Sequence, residues 1–134
     1  MTNNTASRAT GPSILLVEDT PSQALRFQSC LEGSGCQVHW VERGLDGVAA
    51  AHDQSFDLVI LDIELPDING FEVCRQLKSD PAVADIPVIM LTTRDKAEDA
   101  LAGLGEGAID YIPKDPFAEI VLLETLKQMG LLSS

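Results

Sequence analysis

Basic residues are scarce in this chain: nine Lys and Arg stand against twenty-one Asp and Glu, for a net charge of −12. Phosphate backbones are bound mainly by Lys and Arg, so this balance argues against direct nucleic-acid binding and against anionic membrane surfaces. Long apolar runs are lacking too. None approaches the roughly 20 residues that span a bilayer. The opening "MTNNTASRATGPS" has no apolar region of the signal-peptide kind, which sets the expectation of a cytoplasmic protein. The three cysteines, Cys30, Cys36 and Cys74, form neither a paired framework nor a close metal-ligand spacing. They read as reduced, mostly buried small hydrophobes. His39 and His52 stand alone and read as surface residues.

What is present is the balance of an ordinary globular domain, 45% hydrophobic and 22% charged over 134 residues. Residues 1–12 read as a disordered tail, 13–130 as one folded domain and 131–134 as a short C-terminal tail. Apolar runs alternate with helical segments through the folded part. "SILLVE" (13–18) precedes a helix to about Glu32, opened by Thr20-Pro21-Ser22-Gln23 as a capping box with proline at the first helical position. "CQVHW" (36–40) alternates like a half-exposed edge strand. A helix over 45–54 follows, then the apolar strand "FDLVILD" (56–62) and a helix over 71–80. "IPVIMLT" (86–92) is a further buried strand, followed by a helix over 96–107 in which Gly103 and Gly105 either weaken or end the helix. "AIDYI" (108–112) is the last strand. Asp115 is expected to cap a final helix, with Pro116 at its first position, that runs to about Met129.

Strands separated by single helices run parallel, with right-handed crossovers and helices on both faces. The runs "ILLV", "LVIL" and "VIML" suit strands buried on both sides. The pattern predicts an α/β fold: a doubly wound sheet of five parallel strands with five helices. Ligands of such sheets bind outside the carboxyl ends of the strands, so the residues that end the strands locate the site. The first strand ends in Glu18 and Asp19, the third in Asp62, the fourth in Thr92 and the fifth in Lys114. The second contributes nothing obviously chemical near Trp40. Carboxylates gathered so closely repel unless a cation intervenes. An all-oxygen cluster with few protein ligands suits Mg²⁺, and Asp62 is then able to act as a nucleophile toward phosphorus. Each residue alone has an ordinary reading, as a turn, cap or solvated side chain. Their convergence at four strand ends favours chemistry.

"ILLVEDT", "DLVILDIELPDINGFEVCRQLK", "PVIMLTTRD" and "GAIDYIPKDPF" resemble, in order and spacing, the CheY-like receiver domain of two-component response regulators, over about residues 13–129. The resemblance implies strand order 2-1-3-4-5 and a phosphoacceptor role for Asp62. It implies Mg²⁺ held by Asp19, Asp62 and the main-chain oxygen of Glu64, with Glu18 acting through water. Thr92 and Lys114 match phosphoryl-binding positions, and Thr92 and Tyr111 match the switch pair. Phosphorylation by a histidine kinase or phosphotransfer protein would then shift the helix over 96–107, the last strand and the last helix. A downstream protein or output domain would read that face.

Three departures from the family pattern stand out. Thr93 occupies a position where a smaller residue is common, which narrows access to Asp62. Glu64 and Arg94 sit where dephosphorylation is tuned, and their opposite charges are expected to pair across the entrance. Asp115 follows Lys114 where the family has a cis-joined proline. A cis Lys114–Asp115 bond would cost roughly 2.5–4 kcal/mol, against 0.5–1 for a bond to proline. Either the site maintains that strain or the loop takes another course, and Asp115 either caps the helix or competes for Lys114. Leu25, Ile120 and Val121 fall outside the buried stripes of their helices, suggesting a patch for a kinase, a phosphotransfer domain or a second copy in a homodimer. Other classes fit less well. A magnesium-dependent phosphatase lacks a second acid/base aspartate close after Asp62, and an FMN binder lacks its Ser/Thr/Gly-rich loop after the first strand. The chain reads as a signalling phosphoacceptor rather than an enzyme on external substrates, either stand-alone or part of a longer regulator or hybrid kinase.

Overall fold

The apolar runs build the sheet and the amphipathic segments cover it. The computed structural model describes residues 11–93, 101 and 104–133. Within them the strands are β1 (Ser13–Val17), β2 (Gln37–Val41), β3 (Leu58–Asp62), β4 (Val88–Thr92) and β5 (Asp110–Pro113). The helices are α1 (Pro21–Gly33), α2 (Gly44–Asp53), α3 (Gly70–Lys78) and α4 (Ala118–Gln128). All strand pairings are parallel, in the order β2-β1-β3-β4-β5. That is the predicted doubly wound sheet. Four helices are described where five are expected. The remaining one, predicted over 96–107, falls largely on 94–100 and 102–103, outside the described residues. Leu101, Leu104 and Gly105 are helical. Gly105 is the last helical residue, and the turn over Glu106 and Gly107, the latter with φ of 109°, follows it.

The strand pleat sends successive side chains to opposite layers. Ile14, Leu16, Leu58, Ile60, Ile89, Leu91 and Ile112 pack with Ala24, Phe27 and Leu31 of α1 and Leu122 and Leu126 of α4. Leu15, Val17, Val59, Leu61, Val88 and Met90 face the other way, onto α2 and α3. Leu131 and Leu132 also rest against the first layer. β3 and β4 are buried along their whole length, as expected for central strands of a parallel sheet. Cys36 and Cys74 are buried, Cys30 is half-buried, and all three are free thiols. No helix among the described residues is long and apolar enough to cross a membrane.

The N-terminus of α1 differs from expectation. Pro21 opens the helix and Thr20 has extended N-cap geometry, but the capping-box bonds are not made. The Thr20 N–H instead donates to Glu18 Oε2 at 3.2 Å, and its hydroxyl donates to Asp19 Oδ1 at 3.4 Å. Gln23 accepts from Arg26 rather than reaching back. The neighbouring carboxylates outcompete the local cap. α4 also begins later than predicted, at Ala118 with Phe117 as N-cap, because residues 115–117 form a turn of their own.

Candidate functional site

Register brings the strand ends to one edge. Val17 of β1 pairs with Leu61 of β3, Asp62 of β3 with Leu91 of β4, and Thr92 of β4 with Pro113 of β5. The residues just beyond β1 and β5 therefore flank Asp62. The Lys114 N–H donates to the Thr92 carbonyl at 2.6 Å, extending that ladder by one bond and fixing where the lysine leaves the sheet. Its ammonium then lies 2.7 Å from Glu18 Oε1 and 2.9 Å from Asp62 Oδ2. Asp19, Thr20, Gln23, Asp62, Glu64, Thr93 and Lys114 line an open cleft of about 420 Å³ above these groups. Thr93 is exposed and is one of these lining residues.

Among the described residues, charge at this edge is unbalanced. Glu18 is fully buried and Asp62 is 7% exposed, yet with Asp19 they set three carboxylates against one ammonium. Burial, joined by the Asp62 charge, holds the Glu18 carboxyl above the usual carboxylate range against the pull of Lys114. Burial works against the Lys114 ammonium as well, but Glu18 and Asp62 outweigh it and hold the lysine above its usual value. Glu18 Oε1 receives this ion pair but no hydrogen-bond donor in good geometry. Glu18, Asp19 and Asp62 each present an oxygen within 4.8 Å of the others. A buried oxygen without an aligned donor, in a cluster of hard oxygen ligands with spare negative charge, fits a small divalent cation.

The remaining predicted residues fall as follows. Thr92 is buried at the strand end, and its hydroxyl donates to the Thr93 carbonyl at 3.2 Å rather than to a carboxylate. Tyr111 is half-buried against the layer that contains Val88 and Met90. The Glu64 N–H approaches Asp62 Oδ1 at 3.4 Å, and its side chain lies at the cleft. Arg94 lies outside the described residues, and the expected pairing with Glu64 lies there with it. The described peptide bonds are all trans, so the chain after Lys114 takes another course than the family's cis turn. Asp115 does not compete for the lysine: its Oδ1 accepts from the Phe117 N–H at 2.9 Å and caps the turn before α4. Leu25, Ile120 and Val121 are 63%, 66% and 43% exposed. His52 is exposed but not alone, since Asp80 pairs with it.

Two supports of the site went unread in the sequence. Trp40, at the end of β2, donates its indole N–H to the Glu18 carbonyl at 2.7 Å and so fixes the turn that carries Glu18 and Asp19. Its only sequence signal is a lone tryptophan at the carboxyl end of the strand beside β1. Asp67, in the loop after Asp62, accepts from the N–H groups of Gly44 and Leu45, both at 2.8 Å. Burial opposes its ionisation, but these backbone donors at the start of α2 hold its carboxyl below the usual range. Glycine suits the close approaches at the first residue of α2 and at the first residue of α3. A Cβ on Gly44 would come 2.7 Å from Ile68 Cγ1, and one on Gly70 would come 2.4 Å from the Asp62 carbonyl oxygen. The loop bearing Glu64 is thereby pinned between α2 and β3.

The fold and the edge together define a class: a doubly wound α/β domain whose carboxyl-end cleft holds an acidic cluster and a half-buried lysine. The model of the response regulator receiver domain matches residues 14–127, and the chain belongs to that family. Protein PilH of Pseudomonas aeruginosa is 42% identical over 113 residues, 84% of this chain and 93% of PilH. The DNA-binding transcriptional regulator RpaA of a Synechocystis species is 40% identical over 106 residues, 79% of this chain but 44% of RpaA. The chain spans about half the length of the transcriptional regulators it matches. Among solved structures, the chemotaxis response regulator CheY4 of Vibrio cholerae superposes with a TM-score of 0.80 at 29% identity, covering 89% of this chain and 98% of that one. The receiver domain of a sensor histidine kinase from Pseudomonas aeruginosa gives 0.81 at 30%, covering 89% and 97%; a magnesium ion is coordinated in its active-site cleft.

Proposed function

We propose that this domain, taken as residues 13–130, accepts a phosphoryl group on Asp62 from a histidine kinase or a histidine phosphotransfer protein. The observation that carries this reading is the Lys114 ammonium at 2.7 Å from Glu18 and 2.9 Å from Asp62, on the floor of an acidic cleft open to solvent. An oxygen of Asp62 forms the new P–O bond as the P–N bond of the phosphohistidine breaks, and the bonding pair returns to the imidazole nitrogen. Lys114 then turns its charge to the phosphoryl oxygens, and the Thr92 hydroxyl leaves the Thr93 carbonyl to donate to them. Asp19, Asp62 and the Glu64 main-chain oxygen would hold Mg²⁺, with Glu18 acting through water. The ion would offset the carboxylate charge and the charge of the incoming phosphoryl group.

Movement of Thr92 leaves space for Tyr111, and the segment after β4, β5 and α4 shifts with it. A downstream protein or output domain reads that change. The exposed Leu25, Ile120 and Val121 support a docking patch on the α1 and α4 side for the phosphodonor or a second copy. Glu64, which lines the cleft, and Arg94, two positions beyond Thr92 in the sequence, tune hydrolysis of the aspartyl phosphate. The net charge of −12 supports a protein partner rather than nucleic acid or membrane, in the cytoplasm. The domain catalyses its own phosphorylation and dephosphorylation and turns over no external substrate.

The test is incubation with Mg²⁺ and acetyl phosphate, or with beryllofluoride, followed by intact mass and NMR. The wild type should form an adduct and the Asp62→Asn variant none. An adduct that persists in Asp62→Asn, or a wild type that forms none, overturns the reading.

A further inference from the structure

We propose that Arg26 of α1 is a positioning residue for Lys114, holding the trans turn that takes the place of a proline after the lysine. The guanidinium is gripped from three directions. Its Nε and Nη2 donate to Glu119 Oε2 and Oε1 at 2.7 and 2.6 Å, a two-point fork. Its Nη1 reaches Gln23 Oε1 at 3.4 Å, and its carbon lies 4.9 Å from the centre of the buried Phe27 ring. Held in this way, Nη2 also donates to the main-chain carbonyl of Asp115, the residue directly after the lysine. Lys114 is thus fixed on both sides, by the Thr92 carbonyl on its own N–H and by Arg26 on the next carbonyl. A residue after lysine that lacks the proline ring has no φ fixed by a ring. Local turn bonds hold Asp115, whose N–H donates to the Pro113 carbonyl at 2.9 Å and whose carbonyl accepts from the Ala118 N–H at 3.1 Å. The charged fork anchored in two helices adds a long-range hold on that same carbonyl without a cis bond. Among the described residues, Gln23 is the one cleft residue that hydrogen-bonds Arg26, and Arg26 makes no hydrogen bond or ion pair to Asp62 or Lys114.

This inference rests on Lys114 serving the phosphoryl group as proposed above, and the experiment separates the two. Beryllofluoride affinity at saturating Mg²⁺ reports the lysine. Mg²⁺ affinity, followed through Trp40 fluorescence, reports the carboxylates. Arg26→Met should weaken beryllofluoride binding by about 10- to 100-fold, the scale on which loss of an outer support of a ligating group acts, and leave Mg²⁺ affinity unchanged. Arg26→Lys should recover part of the loss, because an ammonium reaches Asp115 or Glu119 but lacks the fork. Glu119→Gln should fall between wild type and Arg26→Met. If Arg26→Met does not fold, the Arg26→Lys and Glu119→Gln pair carries the same comparison. Unchanged beryllofluoride affinity in these variants, or equal losses of beryllofluoride and Mg²⁺ binding, overturns the role of Arg26 alone. A wild type that binds no beryllofluoride removes the phosphoacceptor reading and this inference with it.

Discussion

The two edges of the sheet are built from the same kinds of residue and treat charge in opposite ways. At the amino-end edge Asp57, His52, Asp80 and Lys78 are each matched to a partner. The Ser13 N–H donates to Asp57 Oδ2 at 2.8 Å, His52 Nε2 meets Asp80 Oδ2 at 2.7 Å, and the Lys78 ammonium donates to the Ala84 and Ile86 carbonyls at 3.0 and 2.7 Å. These groups are exposed or half-buried, and they close the loops that enter the strands. Among the described residues of the carboxyl-end edge the charges are buried deeper and do not cancel, and one oxygen of Glu18 lacks an aligned donor. Folding tolerates a buried charge when a partner compensates it, so the edge left incomplete is the one that a ligand completes.

The largest effect that sharpens this contrast is at Lys114. Removing the ammonium leaves Glu18 and Asp62 buried without a cation. Lys114→Met should therefore lose about 3–5 kcal/mol of unfolding free energy in metal-free buffer. Urea denaturation measures this, and added Mg²⁺ should stabilise the variant more than the wild type because the ion supplies the missing charge. A variant as stable as wild type without metal would show that the edge balances its charge by other means.

A smaller effect is expected at Lys78, and it should not respond to metal. Lys78→Met leaves the Ala84 and Ile86 carbonyls without their charged donor while preserving the stem that packs against Gly107. The loss should be about 1–3 kcal/mol, the cost of unsatisfied polar groups, and the same with and without Mg²⁺. Rescue by Mg²⁺ would break the comparison, since it would couple the two edges.

What the sequence made legible follows the same division. The carboxyl-end residues could be read because a parallel sheet brings strand ends together by topology alone: Glu18, Asp62, Thr92 and Lys114 each sit at or just beyond an apolar run. The residues that orient them could not. Trp40 reaches Glu18 from 22 positions away and Arg26 reaches Glu119 from 93, and no local pattern announces either bond. The capping box at Thr20 was misread for a related reason. Its side chain and N–H are drawn to Asp19 and Glu18, which local helix rules do not weigh. Asp115 was legible as a local acceptor because its bond to the Phe117 N–H spans two residues, but it closes a turn and does not cap the helix, which begins at Ala118 with Phe117 as N-cap.

The smallest effect tests the amino-end edge by pH. His52 Nε2 faces Asp80, and its Nδ1 lies 2.9 Å from the Val48 carbonyl, so both ring nitrogens face acceptors and the doubly protonated ring satisfies both. The Asp80 hydrogen bond, then the Val48 carbonyl, and more weakly the Asp80 and Asp53 charges, hold the His52 pKa above its ordinary 6.5. A raised folded-state pKa means that the contribution is complete below pH 6.5 and disappears as pH rises through the folded value. NMR titration of the His52 ring should give a midpoint above 6.5 in the wild type and one closer to 6.5 in Asp80→Asn. The thermal midpoints of the two proteins should differ below that pH and converge above it, with Mg²⁺ affinity the same in both. A pH-independent difference would mean that Asp80 acts through its cap on the Ala82 N–H rather than through the imidazolium.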